Sequence, residues 1–121
     1  YKKMEIFRKK FTSILNELKS DAFFSVVFSR PVTEEIAPTY FTLIKKPIDF
    51  LTIEKTALHL AIEKENVELI QLLLNSNIIL MCENCKKFNT PDTNYYKAAV
   101  DLMKKFRQLY DEEFPEYPFQ L

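Results

Sequence analysis

The sequence predicts an all-α fold, a four-helix bundle with one long crossover. Three observations carry this. Glycine is absent from the 121 residues, where average usage would supply roughly eight. Apolar residues recur at helical spacing over several long stretches. The six prolines fall between those stretches and after the last one, so none interrupts a helix. Glycine supplies the positive φ on which phosphate-cradling loops, dinucleotide fingerprints and two-residue hairpin turns depend. Its absence excludes most nucleotide folds and makes many β architectures hard to build.

Residues 1–20 form the first expected helix. Met4, Phe7, Phe11, Ile14, Leu15 and Leu18 make one apolar stripe, with most of the lysines and arginines off it. Residues 21–47 have a different texture, with Pro31, Pro38 and Pro47 and five aromatic residues without sustained period. They are expected to form a long ordered loop wrapped over the bundle. Asp49 is placed to cap a second helix over about 50–62. A third spans about 67–88, where Asn75-Ser76-Asn77 is a candidate kink or split because such side chains compete for backbone hydrogen bonds. Residues 89–92 read as a turn. Thr93 or Asp92 caps the last helix, which runs to about residue 113 with Tyr96, Ala99, Val100, Met103, Phe106, Leu109 and Tyr110 as its stripe. An acidic end follows.

At 121 residues and 47% hydrophobic composition, the chain is expected to be one folded domain, residues 1–121. Seventeen basic residues balance seventeen acidic ones, which argues against a generic grip on nucleic acid. No run approaches the roughly 20 apolar residues of a membrane span, and the N-terminal residues have no apolar signal region. Cys82 and Cys85 form a C-x-x-C. A zinc site would need two more ligands, and His59 is the one histidine. Helical cysteines at this spacing read better as core residues, and no cofactor or metal is expected. With no second histidine to serve a nucleophile, and carboxylates mostly on solvent faces, the chain is not expected to be an enzyme.

Three pieces stand in order: FSRPV at 28–32, APTYFTLIKKPIDFLTI at 37–53, and CENCKKFNTPDTNYYKAA at 82–99. Together they resemble a bromodomain, the acetyl-lysine reader of chromatin proteins. Members of that family carry F-x-x-P-V, then P-x-Y-(Y/F)-x-x-I-x-x-P-(M/I)-D-x-x-T-I, then N-C-x-x-(Y/F)-N before a turn and an aromatic-rich helix start. The resemblance implies a left-handed four-helix bundle with its ligand pocket at one end. It implies that Asn89 donates its side-chain amide to the acetyl carbonyl and that Tyr40 reaches the same oxygen through water. It makes Phe28, Pro31 and Val32 the apolar wall, with Ile36 a further lining residue. Phe88 stands where tyrosine is common, and Tyr95 gates the pocket.

The implied function is recognition of acetylated histone tails or other acetylated proteins in chromatin and transcription regulation, in the nucleus. No direct sequence-specific nucleic-acid contact and no membrane partner is expected. Unmodified lysine would bring an unmatched ammonium into a dry pocket, so specificity would come largely from rejecting charge. One or two polar contacts imply affinity on the order of micromolar or poorer. Glu34, Glu35 and Asp92 would sit at the rim and favour a basic peptide.

Three departures stand out, one of them a short loop from Val32 to Pro38. Val26-Val27-Phe28 replaces the family's common Trp-Pro-Phe shelf, so the shelf should be flatter and less aromatic. TALHLA at 56–61 and NVELIQLLL at 66–74 resemble an ankyrin repeat, a helix–turn–helix unit that cannot fold alone. This stretch, about residues 56–75, is expected either to act as an equivalent helical hairpin within the domain or to be joined to it. The alternative function is a helical protein–protein scaffold bearing that hairpin, with a vestigial pocket.

Overall fold

The computed structural model describes residues 2–29, 39–57 and 67–116. Every regular element among them is a helix: α1 (Lys2–Lys19), α2 (Ala22–Phe28), α3 (Tyr40–Leu43), α4 (Phe50–Thr52), α5 (Val67–Phe88) and α6 (Asn94–Glu113). A π-helical turn, Ile53–Ala57, continues α4. The fold is all-α and consistent with the four-helix bundle. None of the described helices is long and apolar enough to cross a membrane.

The bundle forms because the stripes find one another. On α1, Phe7, Phe11, Ile14, Leu15 and Leu18 are all buried, as their spacing predicts. On α6 the buried set is Ala98, Ala99, Leu102, Phe106 and Tyr110, a seam turned slightly from the expected stripe and leaving Val100, Met103 and Leu109 half-buried. The Phe11 and Phe106 rings meet edge to face at 6.2 Å. Phe7 packs on Phe114 at 5.1 Å. Lys10 Nζ donates to the Glu113 carbonyl at 2.9 Å and lies 5.5 Å from the Phe114 ring centre. A cation at the C-terminal end of α6 meets both its unpaired carbonyls and its dipole. Lys19 pairs with Glu54 at 2.5 Å and ties the end of α1 to the π turn.

Two expectations need correction. The 21–47 connection is not irregular throughout, for it contains α2 and α3. Asp21 starts α2, its carboxylate accepting from the amides of Phe23 and Phe24 at 2.9 and 3.1 Å. Phe24 and Phe28, one turn apart, then bury themselves in the core. The second correction is that α5 runs unbroken through Asn75-Ser76-Asn77. Asn75 is buried within that helix. Residues 58–66, with His59 and the middle of the ankyrin-like stretch, lie outside the described residues. Nothing among the described residues supports an ankyrin repeat. The part that is described, from Val67, enters one continuous helix.

Burial leaves marks on ionisation. The Cys82 thiol is pushed up to about 12, mainly by burial and then by its neighbour Cys85. Burial also pushes the Tyr110 phenol up to about 12. Both groups keep their protons in the folded chain after the unfolded chain has lost them. Their contribution is therefore complete below the unfolded values, 9.0 and 10.0, and is lost as pH rises toward about 12. Urea denaturation at stepped pH should show stability falling above pH ~9. Cys82→Ala should make that fall shallower. A second outcome concerns packing. Phe11→Ala removes a fully buried ring from the α1–α6 seam, and denaturant unfolding should register a loss of about 3–5 kcal/mol.

Candidate functional site

The C-terminal turn of α5 gathers the residues of interest. Phe88 closes α5, and its ring meets Tyr40 of α3 edge to face, centres 4.9 Å apart. Tyr40 is buried. Its phenol is shifted upward, first by burial, then by Cys85 and Asp49. It therefore stays protonated at neutral pH and can both donate and accept.

Asn89 follows Phe88. Its backbone amide and its side-chain Nδ2 both donate to the Cys85 carbonyl, at 3.0 and 2.9 Å. Nδ2 also lies 3.6 Å from the Cys85 sulfur. The Cys85 thiol in turn donates to the Tyr95 carbonyl at 3.2 Å. Burial pushes that thiol up, and the Asn89 amide pulls it partly back. Cys85 thus connects Asn89, just past the end of α5, with Tyr95 on the first turn of α6.

The link between α5 and α6 is short and internally bonded. The Thr93 amide and hydroxyl both donate to the Thr90 carbonyl, at 3.0 and 2.7 Å. Thr93 caps α6 by accepting from the Tyr96 amide at 3.2 Å. Asp92 is exposed and accepts from the Thr90 hydroxyl at 2.5 Å, a bond that lowers its carboxyl and keeps it charged. Thr93, not Asp92, is the cap.

The segment before α4 is fixed from two sides. The Asp49 carboxylate accepts from the Leu51 and Thr52 amides at 3.0 and 3.3 Å and from the Thr52 hydroxyl. This is the cap its sequence position predicts. From the other side, the buried Asn84 side chain donates to the Lys46 carbonyl at 2.8 Å.

Of the eight residues expected at the site, Tyr40, Phe88, Asn89 and Tyr95 come together around Cys85. Phe28 is buried against Phe24 and Phe50, ring centres 6.5 and 6.1 Å away. Pro31, Val32 and Ile36 lie outside the described residues, as do Glu34 and Glu35 of the expected rim. Tyr95 is half exposed and stacks on Phe23 of α2, centres 6.2 Å apart and planes 26° apart. Asn84 and Phe23 escaped the sequence reading. Asn84 stood inside the N-C-x-x-F-N run, five residues before Asn89, and that spacing was the available signal. Nothing in the pattern around Phe23 distinguished it from Phe24.

The bromodomain family profile matches residues 11–101, three quarters of the chain and all of the elements that build this site. The chain belongs to the bromodomain family. It is 39% identical over 89 residues to bromodomain-containing protein 7 of chicken, covering 74% of this chain and 13% of that protein. It is 38% identical over 89 residues to the human protein of the same name, with the same coverage. Against bromodomain-containing protein 9 of Xenopus tropicalis it is 37% identical over 76 residues, 63% of this chain and 12% of that one. The chain therefore spans about an eighth of the curated relatives it matches. The family match runs through residues 56–75 without supporting an ankyrin repeat there. Membership of the bromodomain family supports an acetyl-lysine reader role in chromatin.

Two tethers can be tested directly. Asp49→Ala removes a buried cap with three donors on it, and chemical denaturation should show a loss of about 1–2 kcal/mol. Asp49→Asn should retain most of the stability, because a carboxamide oxygen still accepts. Amide exchange at Leu51 and Thr52 should quicken only in the alanine variant.

Proposed function

We propose that the chain binds acetylated lysine through Asn89, with acetylated histone tails as the leading ligands and other acetylated proteins of chromatin as further ones. In this reading residues 1–121 act as one module, and it works in the nucleus as a reader without chemistry or cofactor of its own. The observation that carries the reading is the state of the Asn89 amide. One of its two N–H groups has the Cys85 carbonyl at 2.9 Å. For the other, the neighbour given by the geometry is the Cys85 sulfur at 3.6 Å, a weak and distant acceptor. An acetyl oxygen would be a better one.

The neighbours suit a neutral ligand. Tyr40 and Phe88 supply aromatic surface, and the protonated Tyr40 hydroxyl supplies a dipole without charge. No carboxylate bonds to Asn89, Phe88 or Tyr40 among the described contacts. Asp49, whose charge acts on Tyr40, has its carboxylate engaged by two amides and a hydroxyl. An ammonium entering here would lose its hydration without gaining a free anion, whereas an acetamide would lose little. Phe28, Pro31, Val32 and Ile36 complete the apolar wall in this proposal, and Tyr95 stands at its entrance.

The test is titration of wild-type and Asn89→Ala protein with a multiply acetylated histone-tail peptide and its unacetylated twin. Wild type should bind the acetylated peptide alone, with a Kd on the order of micromolar or weaker. Asn89→Ala should lose at least tenfold in affinity while melting as a folded protein. Equal binding of the two peptides would remove acetyl-lysine as the ligand, and full binding by a folded Asn89→Ala would remove Asn89 as the anchor.

A further inference from the structure

We infer that Phe23 is a positioning residue for the gate of this pocket, holding the Tyr95 ring in the orientation that leaves Asn89 accessible. The inference rests on the reader assignment above and concerns the same site. Phe23 lies outside the three sequence pieces that mark the family, yet its ring stacks on Tyr95 with centres 6.2 Å apart and planes 26° apart. Both rings are large and unusually open for aromatic residues, 40% and 50% exposed. Each would be free to turn about two side-chain bonds without the other.

Phe23 is not placed by chance packing. Its amide donates to Asp21 at 2.9 Å, which fixes the first turn of α2. Phe24 and Phe28 anchor the opposite side of that helix in the core. Successive residues on a helix point about 100° apart, so anchoring Phe24 obliges Phe23 to project sideways, where the first turn of α6 brings Tyr95. Tyr95 is then held at two points. Its carbonyl takes the Cys85 thiol at 3.2 Å, and its ring takes Phe23. Cys85 also receives the Asn89 amide through its carbonyl. A continuous set of contacts, Phe23 to Tyr95 to Cys85 to Asn89, therefore joins an exposed residue of α2 to the proposed anchor. In a chain that lacks tryptophan, this pair places an aromatic surface beside the anchor from α2 and α6. The effect on binding is pre-organisation. A gate held in one rotamer loses less freedom when ligand enters.

The experiment is a double-mutant cycle on binding of the multiply acetylated histone-tail peptide, using Phe23→Ala, Tyr95→Ala and the double variant, with Phe23→Tyr as the conservative change. Phe23→Ala should weaken binding about three- to tenfold, the range a stacked aromatic pair can supply, and Phe23→Tyr should restore it. In the Tyr95→Ala background Phe23→Ala should have no further effect, because its only route to the site is the missing ring. In the free protein, the Tyr95 ring-proton resonances should move in Phe23→Ala, with the melting temperature held close to wild type. Equal weakening in both backgrounds would overturn the inference, since Phe23 would then act independently of Tyr95. Unmoved Tyr95 resonances would overturn it by showing no stack. If wild type discriminates neither peptide, the reader assignment fails and the gating role with it. If wild type discriminates and Phe23→Ala binds as well as wild type, the gating role alone fails.

Discussion

The end of α5, residues 84–89, holds three otherwise separate segments at fixed distances. Asn84 grips the Lys46 carbonyl, Cys85 the Tyr95 carbonyl, and Phe88 the Tyr40 ring, while Asn89 folds back on Cys85. The short helix α3, the approach to α4 and the first turn of α6 are thereby referred to the end of α5. This works because α5 is long, 22 residues, and carries Ile78, Met81 and Cys82 into the core. Its last turn inherits the rigidity of the core without being sealed inside it. Loop-borne side chains need such a scaffold if they are to recognise anything.

The core supports that turn through aromatic contacts spread along the bundle. Phe7, Phe11, Phe106, Tyr110 and Phe114 form a chain of ring contacts between α1 and α6. Phe24, Phe28 and Phe50 extend aromatic packing toward the site. Each pair adds a modest increment beyond area burial, about 0.5–1.5 kcal/mol. Their number compensates for the limited interior of a small domain.

How much of this was legible in the sequence depends on the kind of signal. The α1 stripe was readable residue by residue, because Phe7 to Leu18 keep a 3.6 period and all five described members are buried. The Asp49 and Thr93 caps were readable from residue type and position, since both side chains do accept the first free amides. Helix α2 was not. Seven residues containing three phenylalanines and two adjacent valines are too short for periodicity, and its existence depends on Asp21 and on what Phe24 and Phe28 meet in space. The continuity of α5 was likewise hidden, because the burial of Asn75 in the bundle has no local signature. At the site, the family pattern brought Tyr40, Phe88, Asn89 and Tyr95 to notice. The stack on Phe23 is a tertiary fact with no local signature.

The Cys85 carbonyl accepts from the Asn89 backbone and side chain together. One residue thus serves as the stopper of α5 and as the proposed contact for an incoming group. In the proposal the ligand takes the N–H that faces the sulfur, so the bond that stops the helix stays in place and aims the donor that remains. Ending the helix and presenting the amide are then one geometric act, and a change that loosens the terminus also misdirects the donor.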